Sequence, residues 1–287
     1  MCLISSCFCL LLSIINIYRK IPANATAKFC SFTKLRNLLS FQMGAGLPSF
    51  RPFHASLFKG TPLLEGDIPP MINCVNCETA QYFGKALSSQ YRLRYRSFVD
   101  RQDWELSSFR GMEYDCYDTP ATSYLVWQDE NGDVRGASRL MPTDRPYMLK
   151  DLWPESVENI ALPASARIWE GSRFCIDRKL PQFLRRRITA EIVCAYLEFA
   201  LARNITAIIG IMPPLIWKSV FINAGWDVEF LGKAGHYGGG RKNIAGQMHV
   251  SAEALERVRE KTGISHPVLL TAPFNEIETI QKKGCME

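Results

Sequence analysis

The sequence predicts an α+β domain in which helices flank a mixed, twisted β-sheet. Three observations lead to this fold class. Apolar residues recur every three or four positions in long stretches, which is the period of a helix with one buried face. Short apolar segments alternate with these stretches, and an Asn-Gly dipeptide at 131–132, typical of tight hairpin turns, separates two of them. A chain of 287 residues that is 47% hydrophobic can also bury a substantial core.

The predicted elements follow one another in an order that fixes the topology. They are a helix over 78–98, two hairpin strands around 131–132, a strand over 166–176, a long amphipathic helix over 180–204, an apolar strand over 205–212, a helix over 213–225 and strands over 227–231 and 244–250. Proline opens the helix at 213 and Gly225 closes it. Because a strand, a helix and a strand follow one another between 166 and 212, one parallel crossover is expected in the middle of the sheet.

Residues 1–70 differ in character from the rest of the chain and are interpreted as an atypical N-terminal extension. An apolar run of roughly seventeen residues, borderline for spanning a bilayer, ends at Arg19 and Lys20. A cleaved secretory signal is disfavoured because the positive charge follows the apolar run instead of preceding it. Two interpretations stay open, a membrane anchor and a misassigned start with Met71 as the physiological beginning. We favour the second, so membrane contact is expected only if residues 1–20 are expressed.

Composition excludes some classes of function. A formal charge of +6 is too mild to predict nucleic-acid binding without a clustered basic face, although it allows an acidic partner. The ten cysteines lack a disulfide rhythm and are expected to be reduced, which favours a cytoplasmic location. Cys74 and Cys77 form a lone CxxC pair without a second pair or a nearby histidine, so no metal site is expected.

Charged side chains within an apolar strand need partners when they are buried. Glu170 and Arg173 lie in the predicted strand 166–176, and regular alternation places Glu170 and Phe174 on one face and Arg173 on the other. A bulge at Gly171 would bring Glu170 and Arg173 closer together. These residues, with Arg139 and the acids of 113–118, indicate either an active site or an internal ion-pair network.

Four segments resemble, in this order and with these gaps, the acyl-homoserine-lactone synthases, the LuxI-type autoinducer synthases of bacterial quorum sensing. They read YRLRYRSFVDRQDWEL, GMEYDCYD, ASRLMPTDRPYML and IWEGSRF. The matched positions are Arg94, Phe98, Trp104, Glu113, Asp115, Asp118, Arg139, Glu170 and Arg173. Family members usually begin shortly before the first matched arginine, which supports a synthase domain over residues 71–287.

The resemblance implies a fold similar to the Gcn5-related N-acetyltransferases and a two-step reaction. The α-amine of S-adenosylmethionine attacks an acyl thioester, and the methionine carboxylate then displaces methylthioadenosine to close the lactone. S-adenosylmethionine is therefore a substrate, and no cofactor is expected. An α-amine titrates near neutral pH, so a carboxylate, or a water that it holds, must accept the proton, and Glu170 is the candidate.

The resemblance also assigns roles to the matched residues. Glu170 and Arg173 belong to the catalytic centre, with backbone N–H groups beside the bulge as donors to the oxyanion. Glu113 and Ser172 belong to a supporting network, and Ile209 and Ile211 line the acyl pocket. The expected S-adenosylmethionine contacts are Arg94, Phe98, Trp104, Asp115, Asp118 and Arg139.

The acyl donor is expected to be acyl carrier protein rather than acyl-CoA, although both stay open. Acyl carrier protein is strongly acidic, and basic residues cluster at the predicted start of the long helix. These are Arg178, Lys179, Arg185, Arg186 and Arg187. Residues 177–188 lack the glycine-rich turn that cradles a pyrophosphate. Members of this family that make 3-oxo products tend to carry a threonine in the strand that matches residues 207–212. Because isoleucines stand here at 208, 209 and 211, the resemblance implies an unsubstituted acyl chain.

Two other functions remain as alternatives. An acetyl-CoA-dependent N-acetyltransferase would use the same fold. A module that binds a carrier protein without catalysis would need the basic cluster but not the matched set of charged residues.

Overall fold

The computed structural model of the chain describes residues 72–158, 160–237 and 241–271, so the predictions for residues 1–70 lie outside the described part. An eight-stranded mixed sheet with the order β10-β1-β4-β5-β6-β7-β9-β8 forms its centre, and β2 and β3 form a separate hairpin. The strands are β1 (Ile72–Val75), β2 (Ser108–Phe109), β3 (Met112–Glu113), β4 (Ser123–Gln128), β5 (Val134–Pro142), β6 (Ile168–Ile176), β7 (Ala207–Met212), β8 (Glu229–Phe230), β9 (Ile244–His249) and β10 (Leu269–Leu270). The predicted mixed sheet is confirmed.

Helices cover both faces of this sheet. They are α1 (Ala86–Arg94), α2 (Met148–Leu152), α3 (Gln182–Ala202), α4 (Pro214–Ile216) and α5 (Ala252–Thr262). Wider π turns extend α1 over Tyr95–Asp100 and α4 over Trp217–Phe221, and short 3₁₀ turns lie at Ala80–Tyr82, Pro154–Ser156 and Ile222–Ala224. The predicted helix over 78–98 therefore begins later than expected and is not regular throughout.

The parallel crossover is confirmed, because β6 and β7 pair in parallel and α3 connects them. The other neighbours of these two strands, β5 and β9, are antiparallel. The β6–β7 pairing ends at Glu170 and Ile209, although both strands continue. The strands thus stop pairing beside Glu170.

The predicted turns differ from the structure in detail. The β4–β5 hairpin forms, but Gln128 pairs with Val134, so the connection is longer than two residues. Gly132 adopts a left-handed conformation with φ of 74°. Gly225 also adopts this conformation, with φ of 94°, and ends the helical segment that begins at Pro214, as predicted.

Alternation along the strands divides the core between the two faces. Leu125, Leu140 and Ile208 face α3 and belong to the larger apolar cluster. Val126 faces α1, and Ile209 packs with the start of α2 in a smaller cluster. The face that carries α1 and α2 also receives most of the charged residues singled out from the sequence, as the next section describes.

A bulge in β6 changes the predicted faces. Ala137 pairs with Cys175 and Arg139 pairs with Ser172, so β6 holds one more residue than β5 between these pairs. Arg173 has a left-handed φ of 54°, which is uncommon for a residue with a side chain. The prediction of a bulge at Gly171 is therefore wrong in position. The extra residue places Arg173 on the same face as Glu170 and turns Phe174 to the opposite face, where it packs in the larger cluster.

No helix in the described ranges is both long enough and apolar enough to cross a membrane.

The close approach of β6 and β7 can be tested by whether a substitution at Gly210 raises or lowers the free energy of unfolding. Gly210 is not in the left-handed region, and at such a position Gly→Ala ordinarily stabilises a protein by about 0.4–1 kcal/mol. Here a Cβ on Gly210 would lie 2.8 Å from the Gly171 carbonyl oxygen. We expect Gly210→Ala to lower the free energy of unfolding in urea by about 1–3 kcal/mol. An increase would contradict this packing of the two strands.

Candidate active site

Three arginines and three carboxylates meet on the sheet face that carries α1 and α2. The arginines come from different elements, Arg94 from α1, Arg139 from β5 and Arg173 from the bulge of β6. The carboxylates are Glu113, at the end of β3, and Asp115 and Asp118 in the loop that follows it. The six charges cancel within the cluster, which we call the arginine–carboxylate network.

Arg94 is almost completely buried and lies at one end of this network. Its Nε donates to Glu113 at 2.5 Å, and its two terminal nitrogens donate to the two oxygens of Asp118 at 2.7 and 2.9 Å. Although Arg94 belongs to a helical segment with several basic residues, its side chain is only 1% exposed. Such a two-pronged contact fixes the guanidinium plane as well as its charge.

Arg139 and Arg173 share Asp115. Arg139 Nη1 donates to one Asp115 oxygen at 2.5 Å, and Arg173 Nη2 donates to the other at 2.8 Å. Arg173 Nε also donates to Glu113 at 3.1 Å, and Arg139 Nε donates to the Ser172 hydroxyl at 2.9 Å. Glu113 therefore belongs to the network, and the Ser172 hydroxyl accepts a hydrogen bond from it.

Asp118 is held in its charged form. Burial raises the pKa of Asp118, but the contacts with Arg94 and Arg139 outweigh it and lower this pKa to about 2. Burial likewise lowers the pKa of Arg94, and the bonds to Asp118 and Glu113 more than compensate. Asp118 and Arg94 therefore carry fixed charges and do not exchange protons at neutral pH.

Glu170 titrates in a different range. Its side chain is buried, and its two oxygens accept from the backbone N–H groups of Met148 at 3.1 Å and Leu149 at 2.6 Å, at the start of α2. Burial raises its pKa to about 7, although these two N–H groups and the charge of Arg139 act in the opposite direction. A carboxylate with this pKa can accept a proton at neutral pH and release it again.

Phe98 and Trp104 form an aromatic wall beside the network. Their rings stack with centroids 5.1 Å apart, and the guanidinium of Arg173 lies 5.8 Å from the Phe98 ring centre. Phe98 is buried, whereas Trp104 is 40% exposed. The pair thus connects the charged site to the surface.

An apolar cluster of side chains lies next to Glu170. Ile209 pairs directly with Glu170 across the β6–β7 ladder, and both Ile209 and the partly buried Ile211 belong to this cluster. Tyr147, Leu149 and other residues complete it. The residues predicted to line an acyl pocket therefore lie next to the candidate base.

The basic residues near the start of α3 have different environments. Arg185 Nη1 donates to the backbone carbonyls of Arg178 and Leu180, both at 3.0 Å, and Arg187 pairs with Glu191 at 2.7 Å. Arg178, Lys179 and Arg186 are exposed, and within the described ranges they have no ion pair. These last three, named the exposed basic triad, remain available to a partner.

Sequence reasoning missed two residues of the site, Tyr124 and Met148. The Tyr124 hydroxyl donates to Asp118 at 2.7 Å, and the Met148 sulphur accepts from Arg139 and Arg173. Tyr124 follows the alternation of β4, so its position on this face was readable from the sequence. Nothing in the sequence around Met148 indicates that its sulphur accepts two guanidinium N–H groups.

Comparison with known proteins places this site in context. The family model described as autoinducer synthase matches residues 80–258. An acyl-homoserine-lactone synthase of Acinetobacter nosocomialis is 33% identical over 138 residues, which cover 46% of this chain and 75% of that protein. One of Aeromonas salmonicida is 32% identical over 146 residues, or 50% of this chain and 69% of that protein.

Solved structures agree with this comparison. The CoA-dependent acyl-homoserine lactone synthase BjaI, solved with SAM and isopentyl-CoA, is 26% identical with a TM-score of 0.63, and the match covers 71% of this chain and 94% of BjaI. The AHL synthase LasI is 28% identical with a TM-score of 0.59, covering 66% of this chain and 94% of LasI.

The network predicts a large loss of stability when one of its charges is removed. Glu113→Gln leaves Arg94 and Arg173 without the charge of their shared partner, and these side chains are only 1% and 7% exposed. We expect the free energy of unfolding in urea to fall by about 3 kcal/mol or more. Glu158→Gln is the control, because its pair with Lys233 lies at the surface and should contribute less than about 1 kcal/mol. Equal losses in the two variants would contradict the buried network.

The raised pKa of Glu170 predicts how stability depends on pH. Its ordinary value is 4.5 and its value in the folded protein is about 7, so the protonated form favours folding and that contribution is lost as pH rises from 4.5 to 7. Relative to Glu170→Gln, the wild type should lose on the order of 3 kcal/mol over this range. Urea unfolding at successive pH values measures the difference. Glu155→Gln, at an exposed site, should follow the wild-type curve, and a constant offset between wild type and Glu170→Gln would refute the shift.

Proposed function

Because the chain belongs to the autoinducer synthase family and is an acyl-homoserine-lactone synthase, an acyltransferase, we propose that it joins S-adenosylmethionine to an acyl group delivered by acyl carrier protein. The α-amine forms an amide bond with the acyl carbonyl carbon, and the carrier thiol leaves with the electron pair of the broken C–S bond. The methionine carboxylate oxygen then attacks Cγ of the same methionine to form the lactone C–O bond. The Cγ–S bond breaks, its electron pair goes to the sulfonium sulphur, and neutral methylthioadenosine leaves.

The observation that carries this proposal is the position and pKa of Glu170. A buried carboxylate with a pKa of about 7 lies between the charged network and an apolar cluster. An attacking amine must lose a proton as it forms the amide bond, and Glu170 accepts it directly or through one water. The apolar cluster at Ile209 and Ile211 suits an acyl chain next to that proton transfer.

The three acids have unequal access to a cationic substrate. Asp115 is 17% exposed, whereas Asp118 is 4% exposed and Glu113 is fully buried. We propose that Asp115 contacts the positive groups of S-adenosylmethionine and that the other two act by holding the arginines. The stacked Phe98–Trp104 pair offers a flat surface to the adenine ring, with Trp104 at the solvent side.

The loop between β6 and α3 supports a carrier-protein donor. Asp177 lies in this loop, 5% exposed, and binds Arg135 Nη1 at 2.9 Å and the Lys179 N–H at 3.0 Å. Its carboxylate would repel a pyrophosphate cradled at the start of α3. Arg178, in the same loop, and Arg241 are close enough to Arg101 to lower its pKa further, beyond the lowering that burial causes. This concentration of positive charge suits an acidic protein surface.

The proposed reaction is tested with the purified full-length chain. It is incubated with S-adenosylmethionine and a panel of acyl carrier proteins and acyl-CoAs of several chain lengths, and mass spectrometry detects acyl-homoserine lactone and methylthioadenosine. Neither product with any donor would refute the synthase proposal. Products with acyl-CoA alone would refute the carrier protein, and acetylation without methylthioadenosine would favour the N-acetyltransferase. Glu170→Gln should lower turnover at least about 100-fold.

The exposed basic triad gives a specific prediction for the donor. Replacing Arg178, Lys179 and Arg186 with alanine should raise the KM for acyl carrier protein roughly ten-fold at low salt, because steering by charge is lost. The KM for S-adenosylmethionine should not change. The control replaces three exposed lysines elsewhere, Lys218, Lys233 and Lys261, which removes the same charge. Equal increases from the two triple variants would mean that net charge alone, rather than this surface, attracts the donor.

A further inference from the structure

One side chain connects the two arginines of the network to the start of α2. The Met148 sulphur accepts from Arg139 Nη2 at 3.0 Å and from Arg173 Nη1 at 3.3 Å. In the part of the chain that the structure describes, the other nitrogens of these two guanidinium groups donate to carboxylates or to Ser172. The Met148 sulphur therefore provides the acceptor for the one remaining nitrogen of each arginine.

The backbone of the same residue holds Glu170. The Met148 N–H donates to one Glu170 oxygen at 3.1 Å, and Leu149 donates to the other. The preceding residue, Tyr147, is fully buried, and its hydroxyl donates to the Pro163 carbonyl at 2.8 Å, which fixes the position of this turn. One residue therefore sets the position of the base through its backbone and of two arginines through its side chain.

A neutral acceptor has a specific consequence at this point. A thioether is a weak acceptor without charge, so it orients two guanidinium groups without adding a negative charge beside Glu170. If the sulphur were absent, two buried N–H groups would lose their acceptor, which is costly. The Glu170 carboxylate, held by the same turn, has remaining lone pairs and would attract them. Closer guanidinium groups would stabilise its charged form and weaken it as a base.

We propose that Met148 is a positioning residue for acyl transfer, whose sulphur keeps Arg139 and Arg173 directed at the acids and away from Glu170. This inference rests on the proposed function, because it assigns Glu170 the role of base. Charged and titratable groups from several elements surround Glu170. Arg139 from β5 and Arg173 from β6 act to lower its pKa. Glu170 in turn raises the pKa of three tyrosines, Tyr117 from the loop after β3, Tyr147 before α2 and Tyr196 from α3.

Two substitutions separate the acceptor from the packing. Met148→Leu keeps the approximate volume and the backbone N–H but removes the acceptor. Met148→Gln keeps the length and supplies an amide oxygen in its place. Met248→Leu is the matched control, because Met248 is a buried methionine of β9 in the cluster on the opposite face.

The first measurement does not depend on activity. The pKa of Glu170 is determined by carbon NMR of the labelled carboxyl, assigned with Glu170→Gln. We expect it to fall in Met148→Leu and to stay near the wild-type value in Met148→Gln and Met248→Leu. The second measurement is the pH dependence of product formation. Its acid limb should move to lower pH in Met148→Leu, and turnover should fall roughly ten- to hundred-fold.

Each outcome decides the inference. A wild-type pKa in Met148→Leu would overturn it, and so would Met148→Gln with a pKa lowered as in Met148→Leu, because the role would then be packing alone. A chain that forms no lactone with any donor would refute the proposed function, while the NMR comparison would still decide whether Met148 controls the arginines.

Discussion

The arrangement of the site depends on the left-handed backbone at Arg173. This one extra residue in β6 brings Arg173 to the same face as Glu170, where Arg173 and Arg139 bind the same carboxylate, Asp115. A non-glycine residue in this conformation costs on the order of 1 kcal/mol or more. The bonds of its guanidinium to Glu113 and Asp115 offset that cost, because they form only when the side chain points to this face. The bulge and the network therefore stabilise each other.

Packing on the other face supports the same bulge. The Ser138 hydroxyl lies opposite the bulge, where it binds the Tyr196 hydroxyl and donates to the Ser172 carbonyl at 3.3 Å. The absence of a side chain at Gly171 leaves room for Tyr196, since a Cβ there would lie 3.0 Å from its hydroxyl oxygen. The long helix α3 therefore supports the bulge from the face of the sheet opposite the site. Gly171, which suggested the bulge, is instead the position where Tyr196 of α3 packs closely against β6.

Much of the site was readable from the sequence, and the failures have identifiable physical causes. Alternation and helical period located the main strands, the crossover and α3, because burial on one face imposes these periods. The resemblance identified the charged residues but did not predict which arginine pairs with which carboxylate. Regular alternation failed at Arg173, since a single left-handed residue leaves no mark in composition. Met148 was missed because its contacts arise from a tertiary approach of α2 to β6, and thioether acceptors have no sequence signature.

The site combines two kinds of charge with different tasks. In the network, the contacts with Arg94 and Arg139 keep the pKa of Asp118 well below neutrality, so Asp118 stays charged as protons move nearby. Among the described residues, Glu170 accepts hydrogen bonds only from backbone N–H groups, and burial raises its pKa to about 7. Had an arginine bound Glu170 directly, its pKa would fall and a base at neutral pH would be lost. The chemistry therefore depends on the separation of Glu170 from the arginines as much as on the presence of these residues.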